Sequence, residues 1–159
     1  MSRSPAVTVS VATLLACTAA PAFAADYLTE VTSEVYQTTG TPREIATRAN
    51  TCISQHLAPG TVDAQLIISS DLDGGTIVAR NAIDQGGLMR WQIRSRFAFE
   101  ARDGRFRIEQ TTLERFNQGR WGPIGKWTGS QWKGAEAAFK VSADAVAQCV
   151  MAPPRQSEW

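Results

Sequence analysis

Residues 88–107 read LMRWQIRSRFAFEARDGRFR, and this stretch decides the architecture. From Leu88 to Ala101 the residues alternate strictly. Trp91, Ile93, Phe97 and Phe99 fall on one parity, and Arg90, Gln92, Arg94 and Arg96 on the other. A period of two is the signature of a strand with one buried face. Asp103-Gly104 is a two-residue hairpin signal, because glycine supplies the positive φ that such turns need. The chain then returns from Arg105 to Phe116, with Phe106 and Ile108 continuing the apolar parity. Pairing Arg102 with Arg105 sets Glu100 opposite Arg107 and Phe99 opposite Ile108. An ion pair and an apolar pair both support that register.

Working towards the N-terminus, Ala64–Ser70 and Thr76–Asn81 read as short strands joined by Asp71-Leu72-Asp73-Gly74-Gly75. The D-x-D-G run lacks the remaining ligands of a calcium loop and is read as a turn. Asp71 and Asp73, confined to that turn, are a poor pair for glycoside hydrolysis. Further upstream, Thr41-Pro42-Arg43-Glu44 is a helix start: threonine caps, proline occupies the first turn and glutamate closes a capping box. That helix is expected to run to Leu57, before Pro59-Gly60. Ile45, Ala49, Cys52, Ile53 and His56 are expected on its inner face. Glu30–Gln37 alternates and reads as one first strand.

Downstream, residues 117–133 are rich in Gly and Trp and read as a loop with one more strand. A final helix is expected within Ala135–Met151, or in a shorter form capped by Ser142, ending before Pro153-Pro154. Phe139, Ser142, Val146, Cys149 and Val150 share one of its faces. Strands with one apolar face and two amphipathic helices predict an α+β two-layer sandwich. Its antiparallel sheet is expected to have five or six strands, with both helices on one face.

Residues 1–24 read as an export signal. Arg3 precedes a moderately apolar run from Ala6 to Ala16, and Pro21-Ala22-Phe23-Ala24 forms a small-residue cleavage site. The run is shorter than the ~20 apolar residues of a spanning helix. Leu14-Leu15-Ala16-Cys17 offers a competing route, in which Cys17 is lipidated and anchors the product to a membrane. The expected organisation is a signal at 1–24, one domain at 25–152 and a loose tail at 153–159. The expected location is periplasmic.

Export gives the cysteines their meaning. Cys52 and Cys149 are the pair left after cleavage, both on inward helix faces, and in an oxidising compartment they are expected to form a disulfide. A metal site is not expected, because His56 is the only histidine and no C-x-x-C spacing occurs. His56 is expected to be structural. No catalytic constellation and no cofactor motif is visible.

Charge is unevenly spread. Residues 25–79 carry two basic and seven acidic groups, whereas residues 80–133 carry eleven and five. The balanced total argues against a nucleic-acid binder. The basic middle places Arg90, Arg94, Arg96, Arg105 and Arg107 on one sheet face, where guanidinium forks suit phosphate or carboxylate groups. The competing reading is a solvated polar face. Trp121, Trp127 and Trp132 are candidates for a sugar-stacking or interfacial platform, or else for core.

Taken together, the helix start at Thr41, the Asp73-Gly74-Gly75-Thr76-Ile77 hairpin and Arg102-Asp103-Gly104-Arg105-Phe106-Arg107 resemble a family of exported bacterial domains of unknown function with a TBP-like fold. The likeness covers Val31 to Phe116 and implies a fold without catalytic residues. The functional expectation is a non-enzymatic envelope module that binds a partner protein or an anionic ligand. A small envelope hydrolase or its accessory, and an assembly protein pairing through a sheet edge, are the alternatives.

Overall fold

A computed structural model describes residues 26–60, 64–85 and 91–152. The signal segment with Cys17, the tail at 153–159 and Arg90 lie outside the described residues. The elements are β1 (Tyr27–Leu28), β2 (Glu30–Thr32), β3 (Tyr36–Gln37), α1 (Pro42–His56), β4 (Ile67–Asp71), β5 (Thr76–Gln85), β6 (Trp91–Arg102), β7 (Arg105–Asn117), β8 (Arg120–Gly125) and α2 (Trp132–Met151). The sheet is antiparallel throughout, in the order β1-β8-β7-β6-β5-β4, and β2 and β3 also pair with β7. The fold is α+β, with two helices and eight strands among the described residues.

The count exceeds the expected five or six because of the N-terminal segment. Glu30–Gln37 is two strands, not one. Ser33 interrupts the run: its N–H donates to the Ile108 carbonyl at 2.8 Å, and its hydroxyl accepts the Ile108 N–H at 2.9 Å. Parity flips at this point. Val31 is buried before it, Val35 is left 53% exposed, and Tyr36 packs inward instead, stacked at 5.1 Å on Phe106. The Tyr36 hydroxyl donates to Asp144 on α2 at 2.8 Å. Partial burial, then that hydrogen bond, pushes its pKa up to about 12.

The long hairpin has the expected register, with Arg102 facing Arg105, Glu100 facing Arg107 and Phe99 facing Ile108. Ile77, Ala79, Phe97, Phe99, Phe106 and Ile108 make the sheet side of the main core. Ile45, Ala46, Ala49, Cys52 and Ile53 of α1 and Ala143, Val146, Ala147 and Val150 of α2 make the helical side. A second cluster around Leu28, Val31, Ile93, Leu113, Ile124 and Phe139 continues it toward β8.

Helix α1 begins as its sequence demands. The Thr41 hydroxyl accepts the Glu44 N–H, and the Glu44 carboxylate accepts the Thr41 N–H at 2.9 Å, with Pro42 in the first turn. His56 does not lie on the inner face; it is exposed, because the apolar stripe passes from Ile53 to Leu57. Helix α2 starts at Trp132, after Gln131 in a left-handed conformation, so Ser142 is mid-helix and is not a cap. Cys52 and Cys149 are joined as a disulfide between the two helices, 97 positions apart.

The Asp71–Gly75 turn is locked by its own chemistry. The Asp71 carboxylate accepts the Gly74 N–H at 2.9 Å, and Arg43 pairs with Asp73 at 2.6 Å. Gly75 sits at φ +74°, and its carbonyl accepts the Ala101 N–H at 2.8 Å. A Cβ here would stand 2.7 Å from the Ala101 carbonyl oxygen and 3.0 Å from Pro42 Cβ. Gly75→Ala is therefore expected to lower stability by about 2 kcal/mol, through left-handed strain and a backbone clash. Urea denaturation checks this; an unchanged midpoint would mean that the turn yields without cost.

Candidate functional site

The strands send alternate side chains to opposite faces of the sheet. Even-numbered residues of β5 and β6 point away from the core, and so do the odd-numbered residues at the start of β7, where Arg105 and Arg107 lie. Within β7 this phase changes. Arg94 faces Glu114 but Arg96 faces Thr111, so β7 carries one extra residue. Thr112 stands in the bulge at φ +53°, a conformation that a β-branched side chain rarely adopts. Beyond the bulge Leu113 enters the core, and Glu114 and Phe116 turn outward. The bulge is what brings Glu114 beside Arg94.

Around that bulge the outer face is hollowed into a depression of about 340 Å³. Its floor comes from β5, β6 and β7, with Arg80, Arg94, Arg96, Thr112 and Glu114. One side is closed by Pro59, Gly60, Ala64 and Ile68, and the other by Trp121 of β8. Arg94 is fixed here: its Nε donates to Glu114 at 2.7 Å, and its guanidinium lies 4.2 Å from the centre of the Trp121 ring. Phe116 supports the indole from 5.3 Å.

Arg80 and Arg96 are placed differently. They are direct cross-strand partners in the backbone register, two basic residues on the outer face of adjacent strands. Such a pairing is unfavourable by itself. Arg80 donates through Nε to the Gln65 carbonyl at 3.1 Å. Among the described residues neither guanidinium makes an ion pair. Arg80 carries no sequence pattern that marks it. It is the only charge between Thr76 and Ile83, and its meaning depends on the β5–β6 register.

The remaining arginines do not join this group. Arg107 lies at the level of Glu100, four residues along β6 from Arg96, or about 13 Å at ~3.3 Å per residue. Glu100 accepts from Arg102 Nη2 at 2.9 Å and from Arg107 Nε at 2.9 Å. The Arg102 hydrogen bonds, against some desolvation and with help from Arg107, hold its carboxyl below the usual glutamate range. Arg105 is exposed opposite Arg102 and borders a smaller hollow of about 170 Å³ with Val35 and Phe106.

The three tryptophans are likewise distributed. Trp121 belongs to the depression. Trp132 packs against the second core cluster, with Lys126 and Lys133 near its ring at 5.8 and 5.6 Å. Trp127 is 54% exposed and covers Gly125, where any Cβ would collide with the indole.

Beneath the arginines lies a polar cluster that sequence reasoning missed. Asn81 and Ser95 face each other on β5 and β6 and point inward, toward Gln110 of β7. Asn81 Nδ2 donates to Gln110 Oε1 and to the Ser142 hydroxyl, each at 2.8 Å, and Ser95 donates to Gln110 Oε1 at 2.7 Å. Gln110 Nε2 donates to the Phe139 carbonyl at 2.7 Å. Three strands are thereby tied to α2. The signal was present in the sequence: three polar residues occupy inward parity positions.

No protein-family model and no curated protein matches the chain. Solved structures do. The chain is similar to a DUF4468 family protein from Bacteroides ovatus, at 16% identity and a TM-score of 0.59, over 80% of this chain and 88% of that one. It is also similar to a TBP-like protein from Parabacteroides distasonis, at 14% identity and a TM-score of 0.52, over 74% and 92%. At these identities the likeness speaks for the fold and leaves function to the site. The chain therefore has a TBP-like fold, shared with a bacterial domain family of unknown function.

Proposed function

We propose that this is a non-enzymatic, exported binding domain of the cell envelope that holds an anionic group between Arg80 and Arg96. In this reading the two helices and the sheet form a two-layer sandwich, covered on one face and open on the arginine-bearing face. The observation that carries the proposal is the cross-strand Arg80–Arg96 pair lining a depression, with no carboxylate paired with either among the described residues. An anion bridging the two guanidiniums relieves their repulsion and gains charge-assisted hydrogen bonds. The signal read in residues 1–24 and the Cys52–Cys149 disulfide support an extracytoplasmic setting, with cleavage after Ala24 or lipidation at Cys17 as the two routes.

Titration of the domain with inorganic phosphate at low ionic strength tests this reading, followed by calorimetry and by Trp121 fluorescence. Hydrogen bonds to charged groups contribute about 1.5–3 kcal/mol each. Arg80→Glu/Arg96→Glu is therefore expected to weaken binding by roughly a hundredfold or more. Arg105→Glu, at the far end of the sheet, is expected to weaken it far less. Identical titration of wild type and the double variant would sink the proposal.

A further inference from the structure

The depression holds more than an anion needs. Its volume of about 340 Å³ is more than one phosphate group fills. Among the described residues, part of the remaining lining is apolar. Ile68 on edge strand β4 is 41% exposed, and with Pro59 and Ala82 it forms an uncharged wall beside Arg80. On the opposite side, Arg94 is held by Glu114 and stacked on Trp121, so its charge is already answered. Among the described residues, the charge without a paired carboxylate is that of Arg80 and Arg96, next to a wall that gains from apolar contact. A small hydrated anion leaves that wall wet, and a wholly apolar ligand leaves the arginines opposed.

We infer that the ligand is an anionic amphiphile: a phosphate or carboxylate seated between Arg80 and Arg96, with an apolar chain lying along Ala82, Pro59 and Ile68. This rests on the anion site proposed above and names the class of molecule it takes. The lining combines charged groups that can fix an anionic head with an apolar strip that can take a chain, the pairing of chemistries that orients a ligand. The occupant is a single amphiphile molecule, and its head group decides between a lipid phosphate and a fatty acid.

The test compares four probes on the full-length exported domain: inorganic phosphate, octyl phosphate, octanoate and octyl glucoside, the last an uncharged control. Octyl phosphate is expected to bind at least tenfold more tightly than inorganic phosphate, equivalent to about 1.4 kcal/mol. Octyl glucoside is expected to bind more weakly than octyl phosphate by a similar factor. Octanoate matching octyl phosphate would assign the site to fatty acids, and octanoate falling well below it to lipid phosphates. Ile68→Asn, on an exposed edge position, is expected to bring the ratio of octyl phosphate to inorganic phosphate affinity towards one. Arg80→Glu/Arg96→Glu is expected to abolish binding of both.

Equal affinity for octyl phosphate and inorganic phosphate overturns the amphiphile and leaves the anion site standing. Equal affinity for octyl phosphate and octyl glucoside overturns it too, because the arginines then play no part. Absence of binding by every anionic probe removes the anion site as well.

Discussion

Cys52→Ala/Cys149→Ala is expected to lower the free energy of unfolding by about 4–5 kcal/mol. The bridge closes a loop spanning 97 positions. The entropy that this crosslink removes from the unfolded chain grows with the logarithm of loop length, which gives roughly 4–5 kcal/mol on the chain-entropy model. A domain of this size has about 5–15 kcal/mol in total, so the loss is roughly a quarter of its stability or more. The location of the bond adds to its leverage. Cys52 is buried against the main core, and Cys149 packs at its edge. The bond therefore fastens α1 to α2 where both cover the sheet. Urea denaturation of the oxidised protein, the reduced protein and the double alanine variant checks this. Reduced and double-alanine proteins are expected to share a midpoint well below that of the oxidised one. Three equal midpoints would mean that packing alone holds the helices. The same figure predicts poor accumulation in a reducing compartment, in line with the export signal read in residues 1–24.

The long hairpin was legible because three independent patterns agreed. Strict alternation, an Asp-Gly turn and two sensible cross-strand pairs admit a single register, and Arg102–Arg105 has that register. Helix α1 was equally legible, since its capping box is a local arrangement of side chain and backbone. The disulfide followed from two inward helix positions and an expected compartment. What could not be read has a common cause. Strand β1 is two residues long, too short to show a period, and the alternating Glu30–Gln37 run carries no mark of its break into β2 and β3; all three pair with β7 or β8. The bulge at Thr112 has no sequence mark, because the residue that usually occupies such a position is glycine. Without the bulge, Glu114 cannot be placed beside Arg94. The opposition of Arg80 and Arg96 depends on how β5 meets β6, and neither strand announces it alone. Alternation alone implies one continuous arginine face; among the described residues Arg102 and Arg107 gather on Glu100, whereas Arg80, Arg94 and Arg96 line the depression. The Glu100 group also has a pH signature. Its carboxyl is held below the ordinary range, so its small contribution is present at neutral pH and is lost as acid carries the pH down through that lowered range.

Gln110→Ala is expected to cost about 3–5 kcal/mol, more than the volume of the lost side chain accounts for alone. Gln110 is fully buried, and both ends of its amide are in use. Its oxygen accepts from Asn81 and Ser95, and its nitrogen donates to the Phe139 carbonyl of α2. Truncation leaves a cavity and orphans the Ser95 hydroxyl and one bond each of Asn81 and Phe139. A buried polar group without a partner costs about 1–3 kcal/mol, in addition to the penalty for the void. The discriminating comparison is the apolar replacement Asn81→Leu/Ser95→Ala/Gln110→Leu, which removes the partners together. It is expected to recover much of the loss, because the penalty belongs to unmet groups and not to the absence of hydrogen bonds as such. Equal loss in the single and triple variants would assign the effect to packing volume. The cluster also bears on function through its position. Asn81 lies between Arg80 and Ala82 in sequence, Ser95 lies between Arg94 and Arg96, and the two face each other across the same strand pair as the opposed arginines. The polar cluster on the inner face therefore ties together the two strands that carry Arg80 and Arg96 on the outer face. The stabilised triple variant is then the sharper probe. If it regains stability yet binds phosphate more weakly than wild type, the buried amides serve to hold the arginine pair in register, and stability alone is not why they are there.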